Sequence, residues 1–200
     1  MERHAIVICG GQSSRMGFDK ALHEYNGKPM LLHHVHALLE RKWKVVVAGI
    51  DEKRRIVLKG LGIQTVSVGE ERGVRGPIRG ILSGLEVVPE NTWIQLSPCD
   101  APHLIEGMLD EVAGMEGGEM QMPIWKNKGE WNPEPLWASG QKNSLVNAMN
   151  GFDGPLYRRF RKAGCVERTI NPPHPRISSL NTKDELNIAE KMNIKVNEDP

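Results

Sequence analysis

The sequence predicts an α/β protein: a three-layer sandwich with a mostly parallel central sheet and helices on both faces. Short apolar runs alternate with amphipathic helical segments along most of the chain, and this alternation favours parallel strands joined by right-handed crossovers. The first four runs, at residues 5–9, 44–48, 64–68 and 92–96, each have the length of one strand. Because ligands bind at the carboxyl ends of such strands, we expect functional residues to follow these runs.

The remaining elements follow from apolar periodicity, capping residues and turn residues. Apolar residues at helical spacing after Pro29 predict a helix, since proline fits a first turn, where its missing N–H costs nothing. Thr182 followed by Glu185 forms a capping box and predicts the start of the last helix. The other predicted helices span 51–60, 78–88, 104–112, 143–149 and 155–163, and further predicted strands span 119–125, 131–137 and 165–170.

Composition and charge favour a globular protein that binds neither nucleic acid nor membranes. The 200 residues suit one domain with a sizeable core, and 26 basic residues nearly balance 25 acidic ones. No segment is long enough for a signal peptide or a membrane span. The three cysteines lie far apart in the sequence without a C-x-x-C pair, which favours free thiols and a cytoplasmic location. His33, His34 and His36 do not share one helical face, so we expect surface or partly buried positions rather than a metal site.

A glycine-rich loop follows the first predicted strand and is the strongest functional signal. Gly10 and Gly11 permit a sharp turn, and without a Cβ they let a ligand lie against the backbone. Arg15 and Lys20 follow within ten residues and add two positive charges. Backbone N–H groups and two cations together predict a triphosphate site, although the loop matches neither the Walker pattern nor G-x-G-x-x-G. The alternative is a tight strand-to-helix turn with surface charges beside it.

A second informative stretch follows the predicted strand 92–96. Asp100 stands there between Pro98 and Pro102, which limit the motion of the loop. Magnesium commonly takes one or two carboxylates, several waters and substrate phosphates, so Asp100 is a candidate Mg²⁺ ligand. The alternative is that Asp100 only caps the following helix.

The stretch Ile8-Cys-Gly-Gly-Gln-Ser-Ser-Arg-Met-Gly-Phe-Asp-Lys20 resembles the signature of the molybdenum cofactor guanylyltransferases, with cysteine where alanine is usual. Four further segments resemble that family: Gly76-Pro-Ile-Arg-Gly80, Asp100-Ala-Pro102, Glu134-Pro-Leu136 and Asn181-Thr182. The resemblance implies a Rossmann-like fold of the nucleotide-diphospho-sugar transferase type. It also implies one nucleotidyltransferase domain over residues 1–200, with a nucleotide-binding half at 1–102, an acceptor-binding half at 103–192 and a frayed tail at 193–200.

The same resemblance implies a reaction and a set of site residues. GMP would pass from GTP to the phosphate of molybdopterin (or Mo-molybdopterin) with Mg²⁺, and pyrophosphate would leave. A transient molybdoenzyme or cofactor carrier would then receive the product. The catalytic residues would be Arg15, Lys20 and Asp100, with Asp100 as the metal ligand; the nucleotide would contact Ile8, Cys9, Gly10, Gly11, Lys20, Glu70, Gly76, Pro77 and Asp100; and the acceptor would contact Glu134 and Asn181.

Two positions depart from the family pattern and leave alternatives open. Ala48 stands where the family usually has a nucleotide-contacting asparagine, and Gly69 stands where it usually has an aspartate. Another superfamily reaction, using adenosylcobinamide phosphate as the acceptor or CTP as the donor, therefore stays open. So does a non-catalytic module that binds GTP or the cofactor.

Overall fold

The computed structural model describes residues 3–9, 18–67, 76–112, 118–127, 129–171, 180 and 182–196. Within these residues the chain alternates strands and helices, with two short 3₁₀ turns at Lys20–Leu22 and Pro135–Trp137. The strands are β1 (His4–Ile8), β2 (Glu24–Tyr25), β3 (Lys28–Pro29), β4 (Lys44–Ala48), β5 (Gln64–Val66), β6 (Trp93–Pro98), β7 (Gln121–Asn127), β8 (Glu130–Pro133), β9 (Ser139–Gln141) and β10 (Val166–Thr169). The helices are α1 (Met30–Glu40), α2 (Glu52–Leu58), α3 (Pro77–Val87), α4 (Ile105–Val112), α5 (Lys142–Asn150), α6 (Leu156–Lys162) and α7 (Lys183–Val196).

Eight of these strands form one sheet in the order β10-β7-β9-β6-β1-β4-β5, with β8 paired to β7. β1 runs parallel to β4 and β6, β4 runs parallel to β5, and β10 runs parallel to β7. β9 is antiparallel to its neighbours β6 and β7, and β8 is antiparallel to β7. The sheet is therefore mostly parallel, and the predicted fold class is confirmed.

The two faces of β1 build two separate apolar layers. All five residues of β1 are buried, because the strand lies in the middle of the sheet with helices on both sides. Ala5 and Val7 face a core shared with α1, α2 and α4, whereas Ile6 and Ile8 face a core shared with α3, α5 and α6. The alternation of side chains along the strand places the helices in the outer layers of the sandwich.

Helix α3 lies unusually close to β1 because glycines face the strand. A Cβ added at Gly84 would lie 2.6 Å from Cγ2 of Ile6, and one added at Gly80 would lie 3.0 Å from Cγ2 of Ile8. Gly80 and Gly84 are one helical turn apart, so they form one small-residue face against the strand. This contact sets the distance between α3 and the carboxyl end of β1.

A small hairpin and the last helix form a third apolar cluster. Tyr25 of β2 and Met30 of α1 pack with Leu180, Leu186 and Ala189, and the capping box before α7 is present. The apolar runs predict no strand between Lys20 and Pro29, where the residues indicate a loop, so the hairpin corrects that interpretation. The Asn26-Gly27 dipeptide, with both φ angles positive, makes the hairpin turn that joins β2 to β3.

Two element boundaries differ from the predictions for identifiable reasons. The predicted strand 131–137 ends at Pro133, and the Glu134-Pro135-Leu136 segment leads into a 3₁₀ turn, because Pro135 has no N–H for the sheet ladder. The last helix includes residues 193–196, so it ends later than expected, and residues 197–200 lie outside the described part of the chain. The division of the domain into a nucleotide half and an acceptor half stays a prediction.

Replacing Gly84 by alanine should destabilise the protein despite the better helix propensity of alanine. The propensity gain is about 1 kcal/mol. Overlap with the fully buried Ile6 side chain should cost about 1–3 kcal/mol, because the core has no room to adjust. We expect a lower free energy of unfolding for Gly84→Ala in denaturant titrations. Ser83→Ala on the same helix is the matched control and should not lose stability; an equally stable Gly84→Ala variant would contradict this packing.

Candidate active site

The carboxyl ends of three parallel strands meet at one edge of the sheet. Ile8 at the end of β1 pairs with Ala48 of β4 on one side and with Pro98 of β6 on the other. The residues that follow these three strand ends are therefore neighbours in space. This edge includes the beginning of the glycine-rich loop and the loop that contains Asp100, as the sequence predicts.

Lys20 and Asp100 form an ion pair at this edge. The Nζ atom of Lys20 lies 2.7 Å from Oδ2 of Asp100, although the residues are 80 positions apart in the chain. The two side chains are 18% and 21% exposed, so the pair can be reached by a ligand. Two residues predicted from separate motifs are thus brought together, and they present a cation and a carboxylate at the same point.

The loop that carries Asp100 is anchored through its backbone on both sides. The carbonyl oxygen of Asp100 accepts a hydrogen bond from the N–H of Leu180 at 2.8 Å, and the N–H of Leu104 donates to the carbonyl of Ala101 at 3.0 Å. Ala101 is fully buried. These contacts hold the Asp100 carboxylate at the strand end and place the chain just before α7 beside it.

Arg54 is a site residue that the sequence pattern did not single out. It lies on α2 and is 9% exposed, and its guanidinium forms a two-pronged pair with Asp19, at 2.9 Å and 3.0 Å. Its third nitrogen, Nη1, donates to the carbonyls of Cys9 and Gly49 at 2.7 Å and 2.6 Å. Burial tends to lower the pKa of Arg54, but the hydrogen bonds and charge of Asp19 outweigh it and raise that pKa. The guanidinium therefore stays charged.

The start of the glycine-rich loop is fixed by backbone contacts. The N–H of Cys9 donates to the carbonyl of Ala48 at 2.8 Å, while the carbonyl of Cys9 accepts from Arg54. The Ile8 side chain is buried beneath α3, so its contact with a nucleotide would have to come from the backbone. Burial, followed by a hydrogen bond with Cys99, raises the pKa of the Cys9 thiol well above its usual range, so this thiol stays protonated.

Gly76 and Pro77 form the beginning of α3, above the end of β1. Gly76 has a φ of 70° and ψ of −149°, a conformation open mainly to glycine, and Pro77 occupies the first helical turn. The close packing of α3 on Ile8 brings this helix end toward the edge of the sheet that contains Asp100. The predicted nucleotide contacts at Gly76 and Pro77 are thus placed near the same edge, although the contact itself stays a prediction.

Glu134 is the described candidate for acceptor contact. Its Oε1 accepts a hydrogen bond from Nε1 of Trp125 at 2.9 Å. Burial raises the pKa of Glu134, the hydrogen bond from Trp125 lowers it, and the negative charge of Asp100 raises it further. The two carboxylates are therefore close enough for their charges to interact. Of the two tryptophans that flank Glu134 in the sequence, Trp137 is fully buried and Trp131 is 51% exposed, so only Trp131 offers an accessible ring.

His34 is buried beneath the Asp100 loop, not partly exposed as the sequence suggested. Its Nδ1 is hydrogen-bonded to Oγ of Ser97 at 3.0 Å, and its ring packs beside Trp137. Burial, with the nearby charges of His33 and His103, lowers the pKa of His34 to about 3. His34 is thus a neutral structural residue. Among the described residues, no group of three or more His, Cys, Asp or Glu side chains could hold a metal ion.

The oxygen donors at the edge of the sheet fit Mg²⁺. Asp100 is partly accessible and lies after the buried strand β6. Magnesium binds through one or two carboxylates together with waters and substrate phosphates, so a larger protein ligand set is not required. Ala48 is fully buried and offers no polar group to a nucleotide. The remaining candidates lie outside the described residues, and their assigned roles stay predictions: Gly10, Gly11, Arg15, Glu70 and Asn181.

A mostly parallel α/β sheet with charged side chains gathered at its carboxyl edge defines the class of α/β proteins that bind ligands at the strand ends. Comparison with known sequences gives the family. The chain belongs to the MobA-like NTP transferase domain family, whose model matches residues 5–163. The resemblance first noted from the glycine-rich loop is therefore confirmed.

Individual relatives agree with this family. The molybdenum cofactor guanylyltransferase of Pseudomonas aeruginosa is 28% identical over 186 residues, covering 90% of this chain and 91% of that protein. The Pseudomonas entomophila protein of the same name is 27% identical over 160 residues, covering 73% and 81%. The solved structure of molybdopterin-guanine dinucleotide biosynthesis protein A from Archaeoglobus fulgidus has a TM-score of 0.65 at 21% identity, covering 96% of this chain and 99% of that one, and shares the fold.

None of the helices in the described part of the chain combines the length and the apolar character that a membrane-spanning segment needs.

His34 should make the stability of the protein depend on pH. Its folded-state pKa of about 3 lies below the unfolded value of about 6.5. Above pH 6.5 the ring is neutral in both states, whereas at lower pH only the unfolded chain binds the proton. The contribution of His34 to stability should fall by at most about 1.4 kcal/mol per pH unit as the pH drops from 6.5 toward 3.

Denaturant titrations between pH 7 and pH 5 would measure this dependence. His34→Gln should flatten it, because glutamine does not titrate and can still hydrogen-bond to Ser97. Ser83→Ala, which changes no titratable group, is the control and should retain the wild-type slope. Equal slopes for wild type and His34→Gln would contradict the assignment.

Proposed function

We propose that this protein transfers GMP from GTP to the phosphate of molybdopterin in the presence of Mg²⁺, forming a molybdopterin guanine dinucleotide. The observation that carries the proposal is the Lys20–Asp100 pair at the edge of the sheet. The names of the relatives support the choice of donor and acceptor.

The main obstacle to this reaction is repulsion between two anions. Like unit charges about 4 Å apart repel by roughly 4 kcal/mol at an effective dielectric constant of about 20. Positive charge placed beforehand at the phosphates removes this barrier without reorganisation during the reaction. Lys20 provides such a charge, and Arg15 would add a second from the glycine-rich loop.

Asp100 would hold the metal ion, and Lys20 would move its ammonium group from this carboxylate to a phosphate oxygen of GTP. When bound, Mg²⁺ would neutralise charge on the triphosphate and on the departing pyrophosphate. The partial exposure of both side chains allows this exchange of partners. The burial of Ala101 and the backbone bond from Leu180 keep the carboxylate in place meanwhile.

The bond changes need no general base. An ionised phosphate oxygen of molybdopterin forms a bond to the α-phosphorus of GTP, the bond from that phosphorus to the bridging oxygen breaks, and pyrophosphate leaves with the electron pair. No proton has to be removed from the attacking group. The protein therefore acts by positioning and electrostatic stabilisation, as in other phosphoryl transfers.

The acceptor would lie on the side of Glu134, whose carboxyl group accepts a hydrogen bond from Trp125. Asn181 is proposed as a second acceptor contact. The nucleotide would lie over the glycine-rich loop, with Gly76, Pro77 and Glu70 at its edge. We further propose that the protein acts in the cytoplasm and passes its product to a molybdoenzyme or a cofactor carrier.

A transfer assay tests this function directly. The purified protein should convert labelled GTP and molybdopterin, with Mg²⁺, into a guanylated pterin and pyrophosphate. Parallel reactions with CTP, and with adenosylcobinamide phosphate as acceptor, separate the rival nucleotidyl transfers. Binding of GTP without any product would show a non-catalytic module and would reject the proposal.

Asp100→Asn should lose turnover while remaining folded. The amide keeps the size of the side chain but lacks the charge that holds the metal, so kcat should fall by about 10²–10³. Stability should change little, because the ion pair with Lys20 is partly exposed. Asp110→Asn, at an exposed position that pairs with Arg41 on the surface, is the matched control and should keep full activity. Wild-type turnover by Asp100→Asn at saturating Mg²⁺ would remove Asp100 from the metal site.

A further inference from the structure

Arg54 joins three separate segments of the chain through one buried guanidinium. Two of its nitrogens bind the two oxygens of Asp19, and the third binds the carbonyls of Cys9 and Gly49. Cys9 directly follows β1 and Gly49 directly follows β4, so Arg54 fastens two strand ends to the far end of the glycine-rich loop. We infer that Arg54 is a positioning residue that sets Lys20 in place for the nucleotide; this inference rests on the function proposed above.

Asp19 connects Arg54 to the 3₁₀ turn that begins at Lys20. Its Oδ1 accepts a hydrogen bond from the N–H of Ala21 at 3.0 Å and so caps the 3₁₀ turn that begins at Lys20. The same oxygen accepts from Nη2 of Arg54 at 3.0 Å. Lys20 then reaches Asp100 at 2.7 Å. Arg54 of α2 is thus connected to Asp19 by hydrogen bonds, Asp19 to Lys20 by the peptide chain, and Lys20 to Asp100, the proposed metal ligand, by an ion pair.

The chemistry of this position requires an arginine. A guanidinium presents several donors in one rigid plane, so it can bind a carboxylate with two nitrogens and two carbonyls with the third. A lysine ammonium is a point charge and cannot reproduce both contacts from one position. Burying a charge is costly unless it is paired, and Asp19 provides the pairing here. The buried Arg54–Asp19 pair lies beside the glycine-rich loop, where a fixed position of Lys20 would favour catalysis.

Ala48, at the end of β4, lies next to the carbonyl that Arg54 binds. The end of β4 offers no polar side chain, because Ala48 is fully buried, yet the next carbonyl, that of Gly49, is held by Arg54. The neighbouring arginine, Arg55, is 51% exposed, and its hydrogen bonds within the described residues go to Glu52 and Ser67. Arg54 and Arg55 thus form a natural pair for comparison: the same side chain on the same helix, with one bound at the site and the other on the surface.

The experiment compares Arg54→Lys and Asp19→Asn with Arg55→Lys as the control. Each positioning variant should lower kcat/KM for GTP about 10–100-fold, the range found when the residues supporting a site are changed, and Arg55→Lys should remain within about twofold of wild type. Arg54→Lys together with Asp19→Asn should lose less than the product of the two single losses, because both changes break the same Arg54–Asp19 pair. Additive losses from the two changes would overturn the inference.

Lys20 provides the readout that a purely structural role would not affect. In the wild-type background Lys20→Ala should lower kcat/KM for GTP by a large factor, whereas in the Arg54→Lys background the same change should lower it several-fold less. Asp19 joins Arg54 to the 3₁₀ turn that begins at Lys20, so we expect the two changes to be coupled. An equal loss in both backgrounds, after correction for the folded fraction, would overturn the inference.

Hydrogen exchange tests the arrangement without any assay of activity. The Ala21 amide donates to Asp19, which Arg54 holds in place. This amide should therefore exchange faster in Arg54→Lys, and its exchange rate should be unchanged in Arg55→Lys. If the wild-type protein transfers no GMP, the proposed function fails and this measurement alone decides the positioning role. Unchanged exchange at Ala21 in Arg54→Lys would overturn it, whatever the activity.

Discussion

The ion pair between Lys20 and Asp100 depends on the register of three parallel strands. Ile8, Ala48 and Pro98 are paired neighbours, so the chain segments that follow them begin side by side. A shift of one residue between β1 and β6 would turn one loop away from the other. The buried faces of β1 prevent such a shift, since Ala5 and Val7 are enclosed by one helix layer and Ile6 and Ile8 by the other. The chemistry of the site thus depends on ordinary apolar packing.

The sequence is most informative where the required chemistry restricts the residue types. Adjacent glycines followed by cations indicate a phosphate site, and an aspartate between prolines after a strand indicates a metal ligand. The alternation of apolar runs indicates the sheet and its helices. The two functional signals are local, because each is contained in fewer than about twenty residues, and a local signal can be recognised without knowing which segments meet.

Arg54 and His34 show what a sequence pattern leaves out. Arg54 stands in a charged run with Lys53 and Arg55, and helical periodicity does not say which of these cations turns toward the sheet. His34 lies between two other histidines, and only the packing of α1 against β6 and Trp137 buries it. Both residues acquire their roles through contacts with distant segments. Tertiary contacts of this kind decide whether a polar side chain is solvated or buried, and they cannot be predicted from composition or local periodicity.

The partial exposure of the Lys20–Asp100 pair has a consequence for its response to ionic strength. Dissolved ions screen charges over about 10 Å at about 0.1 M salt, and they act most strongly where water reaches both partners. Water reaches both Lys20 and Asp100, whereas in the Arg54–Asp19 pair Asp19 is partly exposed but the guanidinium of Arg54 is largely enclosed. Added salt should therefore weaken the Lys20–Asp100 pair more than the Arg54–Asp19 pair, so that Lys20 can turn toward a ligand while Asp19 keeps its partner.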